Sequence, residues 1–459
     1  MRKRERVQMT LEQLEQRWVP ATVQFFSGYL IIKPSSGEAA LTLTVKQTAA
    51  NTFAVTDSGK ALGTYAGVGN LLITGGNGSD SVTVDLNGLS YAGNIPSINT
   101  GNGNDTINIT NGSGTAASIR GNVTILPGLG NDSVSLSSAS AGVLRVGGTV
   151  QVFDAAGNDS FTFGNGSAST TVGGDLSIQG TNNVQIDQGS NDMVGGNINV
   201  NQGTHGGHLL LQQGLVSGTE VLTVGRSFNI SSSQLSADVF TRGMNLGGNL
   251  NVNLGNGVGP DVAFGQAGNF LGLSSSPSTT TVINGNFNYT SGSGNDSLDL
   301  GSGVVNGNVG ITVGDGNDNI SLETFTTPTI IGGNLTINAG NGNDLLGPLA
   351  GDGGNQALIG GNAVFNLGNG NDTASFDAGS SLGGTLLWHS GNGNDSLSLA
   401  GAQTYNVNVV FGNGDDTFTL NNAAAVLTGL VDGGGHITAN VFNPVAGTIG
   451  SPFTQLNFP

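Results

Sequence analysis

The chemistry this chain can offer is concentrated in ten aspartates, each closing a short phrase of glycine and asparagine. They are Asp80, Asp105, Asp132, Asp159, Asp296, Asp318, Asp344, Asp372, Asp395 and Asp416. The cleanest copy reads Gly391-Asn392-Gly393-Asn394-Asp395 and runs straight into Ser396-Leu397-Ser398-Leu399. It recurs at Gly101–Asp105, Gly340–Asp344 and Gly368–Asp372, with looser copies ending at the other six aspartates. Glycine and asparagine tolerate left-handed backbone, so such a phrase makes a tight corner. Two kinds of chemistry then fit it. In the first, the aspartate accepts hydrogen bonds from turn amides and stacked asparagines form an axial ladder, with no ligand. In the second, Asp carboxylates, Asn side-chain carbonyls and backbone carbonyls supply the six to eight oxygens that Ca²⁺ requires. Carboxylates one repeat apart would repel by ~1 kcal/mol in water and ~3–4 kcal/mol at an effective dielectric near 20. A bound cation would relieve that repulsion.

The elements that must position these corners are strands. Each phrase is followed by an alternating apolar run, and a Gly-Asn or similar pair precedes a second one, as in Gly121-Asn122-Val123-Thr124-Ile125 and Gly333-Asn334-Leu335-Thr336-Ile337. A third short apolar piece, such as Ile330-Ile331 or Leu358-Ile359, stands just before the next Gly-Asn pair. Neighbouring phrase aspartates, with Asp192 counted among them, are 21 to 33 residues apart. A unit of this size cannot bury its apolar face alone but can do so against its neighbours. The expected fold is all-β, a single-stranded parallel β-helix (β-solenoid) of about 12–14 coils of about 25 residues, forming a rod of roughly 60 Å at the strand spacing. Between Asp192 and Asp296 the phrase fades, with Gly255–Asp261 as a stretched copy, and the solenoid is read as continuous there. Residues 76–430 are assigned to the repeats, 23–75 to an N-terminal β cap that covers the open end, and 431–459 to a C-terminal cap or tail.

Two resemblances follow from these residues. The phrase resembles the Gly-Gly-x-Gly-x-Asp nonapeptide of RTX (repeats-in-toxin) proteins, which implies Ca²⁺ as a cofactor held by turns of a parallel β-roll. Here the phrase comes once per coil rather than every nine residues, so matching turns would line one edge only. The stretch Leu11-Glu12-Gln13-Leu14-Glu15-Gln16-Arg17-Trp18-Val19-Pro20-Ala21 resembles the N-terminal motif of exported planctomycete proteins. It marks residues 1–22 as an export or targeting-like segment and implies an extracellular or cell-surface location.

Composition narrows the function classes. The chain has no cysteine, which removes disulfides, thiolate nucleophiles and cysteine metal sites. Its net charge is −18, and no Lys or Arg follows Arg242 while fourteen Asp and Glu do. Such a chain attracts cations and does not bind nucleic acid through phosphates. No segment has the ~18 apolar residues of a membrane span. Arg120 and Arg145, 25 residues apart, could stack on adjacent coils beside Asp132 and Asp159, as in a polysaccharide lyase or hydrolase. His205 and His208 form a loop pair without a third ligand, and no nucleophile elbow or phosphate loop is present. No catalytic residues are assigned. The expectation is a non-enzymatic, exported structural or adhesive rod whose partner is a surface or matrix component, polysaccharide or other copies of itself. The alternatives are a calcium-dependent RTX-like binding module and a polysaccharide-degrading enzyme.

Overall fold

The computed structural model describes residues 20–36, 40–138, 141–164, 168–186, 191–203, 208–211, 221–232, 238–256, 270–274, 280–301, 303–322, 328–347, 356–436, 438–444 and 448–458. The described elements are all strands, and they wind into a parallel β-solenoid with three sheets, here A, B and C. One lap runs from an A strand such as Val123–Leu126, through the Asp-bearing phrase, to a B strand, Ser133–Ser138. A variable connection leads to a short C strand, Leu144–Val146, and a glycine corner returns the chain to the next A strand, Val150–Phe153. The third apolar piece of the sequence unit is therefore sheet C, which includes Thr329–Ile331 and Ala357–Ile359. Sheet C has twelve strands.

The laps stack in register. Ile198, Phe228, Leu250, Phe287, Val309 and Leu335 follow one another along sheet A. This run crosses the region where the phrase fades, so the solenoid is continuous there. Inward positions form one core in which Leu250, Phe287, Leu335, Leu386 and Trp388 have no exposed surface. Burying each such side chain contributes about 1.5–3 kcal/mol. Near the C-terminal end the core becomes aromatic, with Trp388 6.2 Å from Phe365 and 6.0 Å from Phe411.

The glycines of the phrase owe their places to the stacking. Gly342, Gly370, Gly393 and Gly414 all have φ between 140° and 156°. A Cβ on Gly370 would lie 1.5 Å from the carbonyl oxygen of Gly342 on the lap below.

The rod's N-terminal end is covered by antiparallel strands. Thr22–Phe26 pairs against Tyr29–Lys33, and Thr52–Asp57 lies between Thr42–Ala49 and Lys60–Ala66. Tyr29–Lys33 and Thr42–Ala49 already pair in parallel with the next lap, so coil stacking begins inside the segment expected to be a cap. Beyond residue 430 the chain continues sheets B and A through Val441–Asn443 and Thr448–Leu456. The export-like segment lies almost wholly outside the described residues, as does most of Gly255–Asp261.

Candidate functional site: a column of buried aspartates

The A-to-B corner places the ten phrase aspartates in two columns. Asp80, Asp105, Asp132 and Asp159 form one; Asp296, Asp318, Asp344, Asp372, Asp395 and Asp416 form the other. All ten are between 0 and 3% exposed. Their side chains turn inward and are not displayed on the rod's edge.

Each carboxylate is held by the lap before it. The backbone N–H of Asp80 donates to Oδ1 of Asp105 at 2.7 Å, that of Asp105 to Asp132 at 2.8 Å, and that of Asp132 to Asp159 at 2.8 Å. In the second column the chain runs Asp296 to Asp318, Asp344, Asp372, Asp395 and Asp416, at 2.7–2.9 Å. Both columns end on an asparagine in the same role. Asp159 donates to Asn182 Oδ1, and Asp416 donates to Asn440 Oδ1.

The neighbouring asparagine bonds the opposite way. Asn371 N–H donates to Asn343 Oδ1, Asn394 N–H to Asn371 Oδ1, and Asp415 N–H to Asn394 Oδ1. Thus the fourth residue of the phrase caps the amide of the following lap, and the fifth caps the amide of the preceding lap. The second residue forms a side-chain ladder, in which Asn369, Asn392 and Asn413 each donate Nδ2–H to the Oδ1 below at 2.7 Å. At the opposite corner a further ladder runs through Asn286, Asn308, Asn334 and Asn362 to Thr385. The amides that a tight corner would leave unpaired are met by side chains of adjacent laps.

In six of these aspartates one oxygen is left over. Oδ2 of Asp105, Asp132, Asp318, Asp344, Asp372 and Asp416 is shielded from solvent and has no hydrogen-bond partner. Asp80 differs, because its Oδ2 accepts from Gly76 N–H at 2.7 Å. Burial, opposed by the amide bond to the lap before, pushes Asp132, Asp344 and Asp416 up to about 6. Burial also pushes Asp372 up to about 7, with the carboxylates of Asp344 and Asp395 adding to it. Asp318, between Asp344 and Asp296, reaches about 8 by the same combination. A column of this kind holds protons near neutral pH or takes a cation. The set is all oxygen, which suits a hard cation such as Ca²⁺, Mg²⁺ or Mn²⁺.

This makes Asp372→Asn informative. Asn182 and Asn440 show that asparagine supplies the Oδ1 acceptor. The variant should be less stable than the parent at pH 5, where the carboxyl is neutral and the amide adds unpaired donors. At pH 8 it should be more stable, by on the order of 1 kcal/mol after solvent screening. Urea melts at the two pH values check the crossing; the same ordering at both would contradict it.

Two expectations are corrected by the structure. Asp192 is not part of the column, because it precedes the C strand Met193–Val194 and its Oδ1 accepts from Thr170 N–H. The corner position it was expected to fill belongs to Asn182. Arg145 pairs beside Ser118 within sheet C, and Arg120 sits at the C-to-A corner. Both are exposed and separated from Asp132 and Asp159 by sheet A, so they do not build a groove with those carboxylates. His205 and the side chain of His208 lie outside what is described.

Sequence reasoning missed Asp154, which follows the A strand Val150–Phe153. One carboxylate oxygen from each of Asp132, Asp154 and Asp159 lies within 4.8 Å of the others. The signal was available only after aligning strands between laps. The residues directly after other A strands include Thr100, Pro127, Gly180, Val313, Ala339, Leu367, Ser390 and Phe411, and none of these is acidic. Comparison with known proteins gives no match to a family model, a curated protein or a solved structure.

Proposed function

We propose that this protein is a non-enzymatic, exported rod that serves as a structural or adhesive element of a cell surface or extracellular matrix, with Ca²⁺ as an optional stabiliser of its corners. The observation that carries the reading is the outer face of sheet A. Asn199, Asn229, Asn251 and Asn288 form a ladder there, with each Nδ2–H donating to the Oδ1 below at 2.8 Å. With Gln179, Asn201, Ser231, Asn253 and Thr290 they line a groove of about 500 Å³ that carries no charged side chain. A repeating neutral row of donors and acceptors suits many weak hydrogen bonds to a polysaccharide. It offers no carboxyl, imidazole or amine to act as acid or base in cleaving one. The N-terminal resemblance to exported planctomycete proteins supports the location.

The test is sedimentation of the purified chain with insoluble cell-envelope polysaccharide, beside an Asn229→Leu/Asn251→Leu variant. The expected result is retention of the parent, several-fold weaker retention of the variant, and no soluble sugar released. Equal failure of both to bind, or release of sugar fragments, would refute the reading.

A further inference from the structure

Asp132, Asp154 and Asp159 form a compact group on adjacent laps of the rod. One oxygen from each falls within 4.8 Å of the other two. Asp132 and Asp159 belong to the first column, which positions them rigidly: Asp105 N–H holds Asp132 Oδ1, and Asp132 N–H holds Asp159 Oδ1, both at 2.8 Å. Asp154 enters from the end of the A strand. Its backbone N–H is fixed by Gln179 O, and its Oδ1 accepts from Ala155 N–H at 2.8 Å. The second observation is at Asp132. Its side chain is 3% exposed, and Oδ2, shielded from solvent, has no hydrogen-bond partner.

We infer that Asp132, Asp154 and Asp159 bind one Ca²⁺. Calcium–oxygen distances of about 2.3–2.6 Å place oxygens of one shell within about 5 Å of each other, and the three carboxylate oxygens meet that limit, lying within 4.8 Å of one another. Mg²⁺ demands a near-ideal octahedron at about 2.0–2.1 Å and gives up its waters reluctantly, so three carboxylates fixed by the fold suit the flexible shell of Ca²⁺ better. Three carboxylates supply a charge that a divalent ion more than half neutralises. Asp154 is only partly buried, which leaves a way in for the ion and for water to complete its shell. The inference does not rest on where the rod is used or on what adheres to it. It also differs from binding along the columns, where neighbouring laps contribute one carboxylate each and, among the described residues, no other such three-carboxylate group forms.

The experiment is calorimetric titration of the full chain, stripped with chelator at pH 7.5, with Ca²⁺ and separately with Mg²⁺. Three variants accompany the parent: Asp154→Asn, Asp154→Leu, and Asp344→Asn as a control in the second column. Leucine already occupies the matching place at Leu367, so Asp154→Leu has a precedent within the fold. Circular dichroism confirms that each variant is folded. The parent is expected to take up Ca²⁺ at one site at least tenfold more tightly than Mg²⁺. Both Asp154 variants should lose that site or weaken it at least tenfold, and Asp344→Asn should keep it. Without the ion, Asp154→Leu should melt at a higher temperature than the parent. The inference is overturned if the parent binds no Ca²⁺, or if Asp154→Asn binds with the parent's stoichiometry and affinity. Loss of binding in Asp344→Asn alone would overturn it too, by moving the ion to the second column.

Discussion

Without divalent ions, the melting temperature of the rod should fall as pH rises from 5 to 8.5. The sign follows from the columns. Asp132, Asp318, Asp344, Asp372 and Asp416 are all raised in the folded chain above the ordinary aspartate value of 3.8. The folded state therefore binds more protons than the unfolded one between about pH 4 and pH 8. Stability is fully present below the lower limit and is lost as each group ionises. Each displaced unit corresponds to about 1.4 kcal/mol before solvent screening. A few kcal/mol for the columns together gives a fall of about 3–5 °C in a chain of 459 residues. This is the reverse of ordinary acid denaturation, in which salt-bridged carboxylates favour higher pH. Added Ca²⁺ should restore part of the loss at pH 8 and little at pH 5, where protons already neutralise the columns. A melting temperature that rises from pH 5 to 8.5 would contradict the argument.

The second large effect is expected at a corner glycine. Gly370→Ala would place a Cβ 1.5 Å from the carbonyl oxygen of Gly342, at a φ of 140° that L-residues rarely adopt. Backbone meets backbone there, so neither side can yield without breaking the contact between two laps. Left-handed strain alone costs about 1–3 kcal/mol, and the lost stacking adds to it. In a solenoid each lap touches only its neighbours, so the damage should be local. The expected result is a new protease-sensitive point near residue 370 and a lower melting temperature. Gly114→Ala is the matched control, since a Cβ there meets nothing within 4 Å; it should leave both readouts unchanged. Equal behaviour of the two variants would show that the corners are not close-stacked.

The period of the phrase made the parallel stack legible, because Gly-x-Gly-Asn-Asp followed by alternating apolar residues returns at nearly constant length. The direction of the aspartates was legible too. In Asp395-Ser396-Leu397-Ser398-Leu399 side chains alternate faces. Counting back from buried Leu397 puts Asp395 on the inward side, where the structure has it. Asp192 misled because Gly189-Ser190-Asn191-Asp192 imitates the phrase, while the strand that follows belongs to sheet C. Asp154 was hidden for a different reason. Nothing in its local sequence marks it, and its partners are set by the pairing of laps 22 to 27 residues apart. The antiparallel strands at the N-terminal end were read as strands, but alternation alone does not tell an antiparallel pair from a parallel one.

The account depends on these carboxyls being buried in register and short of partners. Carbon-13 NMR of aspartate carboxyl groups, followed from pH 3 to pH 9 in chelator, observes that condition directly. The expected spectrum contains a set of carboxyls, Asp132, Asp318, Asp344, Asp372 and Asp416, that titrate at about 6 to 8, well above the ordinary aspartate value. Asp344→Asn should remove one member of that set and lower the midpoints of its neighbours, Asp318 and Asp372, which its charge helps to raise. A spectrum in which every aspartate titrates near 4 would contradict the buried column.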